Sequence, residues 1–298
     1  MNNTNLKECK VCPRECGVDR TKTTGFCRQS NKIRIARADL HMWEEPCISG
    51  TKGSGTIFFS GCSLKCIYCQ NFSISNENMG YEVTKERLAE LMLGLQNKGA
   101  HNINLVNPTH FTPQIIECLE SIKDKLKIPV VYNCSGYEKE DTIKLLKGYV
   151  DIFLTDFKYF DNELANRLSL APDYFEVANK AIKEMISITG KPVYKDDILQ
   201  KGTIIRHLVL PGFRKNSIDL IEHIKNTFDD DTYILSVMSQ YTPIHKNFEI
   251  KSLNRSLSTF EYNSVLKTID SLDLDGYVQE FSSSDTKYIP QFYDKDFQ

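Results

Sequence analysis

Six short apolar runs, each followed by an amphipathic stretch, constrain this chain more than any other feature of its sequence. The runs cover residues 56–60, 102–106, 129–134, 151–155, 203–210 and 233–238. They are rich in Val, Ile, Leu and Phe and too short for helices, so each reads as a strand buried on both faces. Residues 84–98, 112–126, 138–146, 174–189, 217–227 and 259–272 repeat apolar positions at helical spacing. Thr84 and Thr112 stand where N-caps are expected, and Pro113 suits the first helical position. Strands alternating with helices make a parallel sheet with crossover helices, either doubly wound or barrel-shaped. No Gly-x-Gly-x-x-Gly follows the first run, so nothing favours a dinucleotide fold. The expectation is an α/β architecture, a partly closed (β/α)6 barrel. Residues 190–202, with Lys191, Lys195, Asp196 and Asp197, read as an exposed loop or lid.

Residues 1–30 differ: they are rich in Cys, Arg, Lys and Thr and lack hydrophobic periodicity. Such a segment folds around a metal rather than an apolar core. The chain therefore divides into a cysteine-rich N-terminal extension over 1–50 and a barrel over 51–298. Ten cysteines in 298 residues would suit a disulfide scaffold only in a short secreted chain. The polar start from Met1 to Lys10 has no signal-peptide core, and no apolar run is long enough to span a bilayer. These features predict a cytoplasmic protein, where closely spaced cysteines hold metal. A net charge of -2 leaves no basic footprint for nucleic acid.

The most informative segment is Phe58-Phe59-Ser60-Gly61-Cys62-Ser63-Leu64-Lys65-Cys66-Ile67-Tyr68-Cys69. A buried strand runs straight into three cysteines spaced x3 and then x2. Structural zinc takes four ligands, so a zinc site here would need a distant Cys or His. A 4Fe-4S cluster normally takes four thiolates. Three leave one iron open, and S-adenosylmethionine (SAM) can chelate that iron through its amino and carboxylate groups. Cys9, Cys12, Cys16 and Cys27, spaced x2, x3 and x10, form a second and complete four-thiolate set. Zinc and an auxiliary 4Fe-4S cluster both satisfy it. Cys47 reads either as a thiol acting on a radical intermediate or as a packed structural cysteine.

The x3, x2 spacing with aromatic Tyr68 before the last cysteine resembles the radical SAM superfamily signature. Most of the chain, from about residue 9 to 280, resembles the PflX-like branch of pyruvate formate-lyase activating enzyme homologues. The resemblance is carried by Cys12-Pro13-Arg14-Glu15-Cys16, Glu44-Glu45-Pro46-Cys47-Ile48-Ser49-Gly50, and Asn102-Ile103-Asn104-Leu105-Val106-Asn107-Pro108-Thr109-His110. Val131-Tyr132-Asn133-Cys134-Ser135-Gly136-Tyr137, Asp156-Phe157-Lys158-Tyr159 and Arg206-His207-Leu208-Val209-Leu210-Pro211-Gly212 complete it. It implies a partial TIM-type barrel, a 4Fe-4S cluster on Cys62, Cys66 and Cys69, and bound SAM. It also implies a low-potential electron donor such as flavodoxin or ferredoxin.

Barrel active sites lie at the carboxyl ends of the strands. By that position and the resemblance, Asp156 and Lys158 are candidate catalytic residues. Tyr68, Asn107, Asn133, Ser135 and Arg206 are candidate cofactor-binding residues, and Gln240 and Tyr241 are weaker ones. His207 alternates to the opposite face from Arg206 and reads as a core histidine. The expected activity is reductive cleavage of SAM to a 5'-deoxyadenosyl radical, which takes hydrogen from an unidentified substrate. A glycine of a partner enzyme, a peptide and a small molecule all fit. Peptide modification or methyl transfer are alternatives. So is a non-catalytic Fe–S or zinc scaffold, since Asn107 and Asn133 stand where activating enzymes carry acidic groups.

Overall fold

A computed structural model of the chain describes residues 5–244, 246, 249–279 and 292. Strand β1 (Ile33–His41) leads through a short helix α1 (Pro46–Ser49) into β2 (Ser54–Phe59). After the cysteine loop come α2 (Phe72–Ser75), β3 (Tyr81–Val83), α3 (Lys85–Asn97), β4 (Ile103–Val106) and α4 (Thr112–Ile122). Then follow β5 (Val130–Cys134), α5 (Glu140–Lys144), β6 (Ile152–Asp156), α6 (Asn162–Ser169) and α7 (Tyr174–Thr189). The chain continues through β7 (Val193–Lys195), β8 (Ile198–Leu208), α8 (Arg214–Thr227), β9 (Ile234–Met238), α9 (Thr259–Ser271) and β10 (Gly276–Val278).

The strands lie in the order β10-β9-β8-β6-β5-β4-β2-β1-β3. Along that order pairing is parallel from β10 to β2, while β1 is antiparallel to both β2 and β3 and β7 is antiparallel to β8. The expected α/β barrel is therefore present as a mostly parallel, open sheet. The runs are largely apolar because both faces of the sheet are covered. Ile103, Leu105, Tyr132 and Phe153 pack outward in one cluster with Leu88, Met92, Ile115 and Leu119 of α3 and α4. Val131, Ile152, Leu154, Ile204 and Ile234 pack together on the other face. There they meet Cys47 and Ile48 of α1. Cys47 is thus buried in apolar packing at 2% exposure.

Several features depart from the sequence expectation. Residues 190–202 are no lid: they form the β7–β8 hairpin, with Val193 paired to Lys201. Gly202 pairs with Ile152, the first residue of β6, so the hairpin stands at the strands' amino ends, opposite the cysteines. Thr112 is not an N-cap. A 3-10 turn at Thr109–Phe111 precedes α4, Thr112 is already helical, and its Oγ1 donates to the Thr109 carbonyl at 2.9 Å. Thr84 does cap α3, accepting from the Arg87 N–H. Strand β1 was not expected from the sequence: it carries Arg34, Arg37 and Asp39 on half-buried positions, which break up its apolar pattern. Among the described residues, no helix is long and apolar enough to cross a membrane.

Candidate active site

Strand β2 delivers the chain into the cysteine loop through Gly61, whose φ of +84° is left-handed backbone. A Cβ there would stand 2.5 Å from the Cys27 carbonyl oxygen, so the loop and the N-terminal element meet backbone to side-chain-less backbone. The loop then lies against the carboxyl end of α6. Lys65 N–H donates to the Ser169 carbonyl at 3.3 Å and Ile67 N–H to Leu168 at 3.0 Å. Arg14 staples the same junction: its Nε donates to Ser63 O at 2.7 Å and its Nη2 to Ser169 O at 3.3 Å. Its guanidinium lies 4.2 Å from the Phe26 ring centroid, a cation–π contact.

Among the described residues no three His, Cys, Asp or Glu side chains are already posed as ligands around a metal ion. The chemistry of the donor set nevertheless fits an iron–sulfur cluster. Cys62, Cys66 and Cys69 are free thiols, and burial pushes the Cys62 thiol up to about 12 and raises Cys69. A bare thiolate is therefore costly there, whereas a metal-bound thiol is deprotonated outright. Each sulfur also has a hydrogen-bonding partner, as cluster sulfurs do. Leu64 N–H reaches Cys62 Sγ at 3.4 Å, Ser169 Oγ donates to Cys66 Sγ at 3.0 Å, and Ser75 Oγ lies 3.3 Å from Cys69 Sγ.

Cys66, Tyr68 and Cys69 line a cavity of about 650 Å³ inside the barrel. Its wall continues over Lys158, Asp156, Arg206, Asn133, Glu44 and Glu45. These six form a polar ladder leading away from the cysteines, five of them charged. Lys158 Nζ bonds Asp156 Oδ2 at 2.5 Å, and Arg206 Nε donates to Asp156 Oδ1 at 3.0 Å. Arg206 Nη2 donates to Asn133 Oδ1 at 2.6 Å and Nη1 to Glu44 Oε2 at 3.3 Å. Glu45 Oε1 lies 4.0 Å from Arg206 and accepts from Ser236 Oγ at 3.1 Å. Burial would raise Asp156, but the charges of Lys158 and Arg206 outweigh it and hold the carboxyl low. Burial would lower Lys158, and the Asp156 carboxylate reverses that and raises it. Glu44 and Glu45 are raised, by burial against the pull of Arg206.

The structure thus brings Tyr68, Asn133, Asp156, Lys158 and Arg206 to one cavity, and Gln240 lines it too. Asn107 and Ser135 are not among the residues that line it. Asn107, at φ +58°, turns its Nδ2 onto the Gly61 carbonyl and so supports the cysteine loop. Ser135 is buried, and its carbonyl accepts from Tyr174 Oη at 2.7 Å. Tyr241 is buried with its hydroxyl on the Leu253 carbonyl at 2.6 Å. His207 is a core histidine, with Nδ1 2.8 Å from Phe157 O and Nε2 2.8 Å from Ser217 Oγ. Sequence reasoning missed Glu44 and Glu45 as wall residues. Their signal was an acidic pair inside a segment that carries the family resemblance, where no role was assigned to either carboxylate.

Cys9, Cys12, Cys16 and Cys27 are also free thiols, gathered beside this loop. A Cβ on Gly25 would fall 3.2 Å from Cys16 Sγ and 3.6 Å from Cys27 Sγ. Buried Arg20 donates toward Cys9 Sγ at 3.9 Å and to the Ser30 carbonyl at 2.6 Å.

A sequence model of the Radical SAM superfamily matches residues 56–236, more than half of the chain. An uncharacterized protein of Methanocaldococcus jannaschii is 32% identical over 279 residues, covering 91% of this chain and 76% of that one. Pyruvate formate-lyase-activating enzyme of Staphylococcus aureus is 27% identical over 183 residues, 56% of this chain and 65% of that enzyme. Streptococcus suis SuiB, solved bound to the precursor peptide SuiA, superposes with a TM-score of 0.50 at 14% identity. That likeness covers 74% of this chain and 48% of SuiB, and it shows the fold alone.

Proposed function

This chain belongs to the radical SAM superfamily, and from that premise we propose that it cleaves SAM reductively to take hydrogen from a substrate in the barrel cavity. The family implies a 4Fe-4S cluster and SAM. When bound, the cluster and SAM supply a one-electron cleavage of a carbon–sulfur bond, giving methionine and a carbon-centred radical that abstracts hydrogen. An external low-potential donor such as flavodoxin or ferredoxin supplies the electron.

The observation that carries the reading is the cavity itself, with Cys66 and Cys69 at one end of its polar wall and the Lys158–Asp156–Arg206 ladder beyond. Cys62, Cys66 and Cys69 hold the cluster. Lys158 and Arg206 offer donors suited to a carboxylate or ribose hydroxyl, and Asp156 fixes the direction of both. Tyr68 and Asn133 complete the wall. The substrate is a glycine of a partner enzyme, as in the activating enzymes the chain weakly resembles, or a peptide or small molecule. Cys9, Cys12, Cys16 and Cys27 hold a second centre, zinc or an auxiliary Fe–S cluster.

The test is anaerobic purification with iron, sulfide and zinc analysis, followed by product assay. 5'-Deoxyadenosine that disappears in Cys62→Ala, Cys66→Ala and Cys69→Ala is expected. Its persistence in any of them sinks the cluster assignment, and S-adenosylhomocysteine in its place points to methyl transfer. Replacing all four N-terminal cysteines by Ala should lower total metal per chain. Unchanged metal removes the second centre from the reading.

A further inference from the structure

We propose that Ser169 and Tyr159 are positioning residues that raise the reduction potential of the cluster through a one-directional hydrogen-bond chain beginning at Tyr68. The inference rests on the cluster reading above. Tyr68 Oη lies 2.6 Å from Tyr159 Oη, and Tyr159 Oη lies 2.7 Å from Ser169 Oγ. Ser169 Oγ is 3.0 Å from Cys66 Sγ and donates to it. Tyr159 and Ser169 are fully buried, so water does not replace the hydrogen bond between them. Ser169 is the last residue of α6, and its carbonyl accepts from Lys65 N–H and Arg14 Nη2, which fixes the serine against the loop. The hydrogen bonds at Cys62 and Cys69 are local, from Leu64 and Ser75.

The direction of the chain follows from counting protons. A metal-bound thiolate has none, so Cys66 only accepts. A hydroxyl has a single hydrogen. Ser169 gives its own to sulfur and must accept from Tyr159, which must in turn accept from Tyr68. The oxygen of Tyr68 is left as the open end, an acceptor on a residue that lines the cavity. Successive hydrogen bonds in low dielectric polarise one another. Donors to cluster sulfur favour the reduced state, which carries one more negative charge. The chain therefore makes the cluster easier to reduce, and a cavity occupant offering N–H or O–H to Tyr68 makes it easier still.

The experiment is a redox titration of the reconstituted holoenzyme followed by electron paramagnetic resonance, in wild type, Ser169→Ala, Ser169→Thr and Tyr159→Phe. Ser169→Ala should shift the midpoint to more negative potential, and Tyr159→Phe should shift it the same way by less. Ser169→Thr keeps the hydroxyl and should restore the wild-type value. A merely structural role lowers the melting temperature and leaves the potential in place. Unshifted potentials in Ser169→Ala and Tyr159→Phe, at wild-type iron and sulfide content, overturn the proposal. If Ser169→Ala does not retain its cluster, Tyr159→Phe decides alone: a negative shift supports the chain and no shift overturns it. A wild-type protein that forms no 5'-deoxyadenosine refutes the proposed activity, while the potentials still judge the hydrogen-bond chain.

Discussion

Arg206 is the residue on which the polar wall depends. One guanidinium faces Asp156, Asn133, Glu44 and Glu45, and Arg206 is itself raised: burial would lower it, and the three carboxylates reverse that. Removing it orphans buried charge, which costs roughly 3–5 kcal/mol. Arg206→Ala should therefore melt early as well as bind SAM poorly. Without the guanidinium the glutamates are raised further, and a carboxyl raised in the fold loses stability as pH climbs through its folded value. The deficit of Arg206→Ala should then be larger at pH 8 than at pH 5; an equal deficit would mean the glutamates are not its partners. His207 behaves oppositely. Burial lowers it from 6.5 to about 4, so its contribution is complete above pH 6.5 and is lost as pH falls through about 4. At roughly 1.4 kcal/mol per pH unit this amounts to a few kcal/mol. His207→Gln should flatten the acid limb of the melting-temperature profile between pH 6.5 and 4. An unchanged limb assigns the acid sensitivity elsewhere.

Between elements, the contact that matters most joins the N-terminal turns to the cysteine loop and α6. Arg14 makes it with a planar fork spread over the Ser63, Ser169 and Leu170 carbonyls. A lysine cannot reproduce three divergent donors of that kind. Arg14→Ala and Arg14→Lys should both leave the helices and sheet intact while speeding hydrogen exchange across residues 62–69 and lowering iron retention. Wild-type exchange in both would show that the loop is held by α6 alone. The helices themselves were legible beforehand. Thr84 caps α3 as its sequence predicts, and the periodic positions Leu88, Met92 and Leu95 are buried. α6 was not expected, because its eight residues give the helical pattern too few turns to stand out.

At the scale of the whole molecule, the N-terminal element is packed into the barrel rather than tethered to it. Arg20 is fully buried between the Ser30 carbonyl and the His110 carbonyl, and the His110 ring reaches Ser60 O at 2.7 Å. Deleting residues 1–32 removes that cation and exposes the back of the cysteine loop. The shortened chain should lose several degrees of melting temperature and its protection at residues 60–66. Unaltered melting and protection would make the element a separable module. What the sequence determined by itself were the six buried strands, their crossover helices and the three-cysteine loop on the end of the first strand. Each depends on periodicity and spacing within a short stretch, where local physics decides. Tertiary structure alone decided that Glu44 and Glu45 share Arg206, some 160 residues away, with Arg206 to Glu44 at 3.3 Å. It also decided that Asn107 serves the loop, and that Ser169 on a separate helix donates to Cys66. Such pairings follow from the register and order in which strands assemble, and residues far apart in the chain carry no local pattern that announces their meeting.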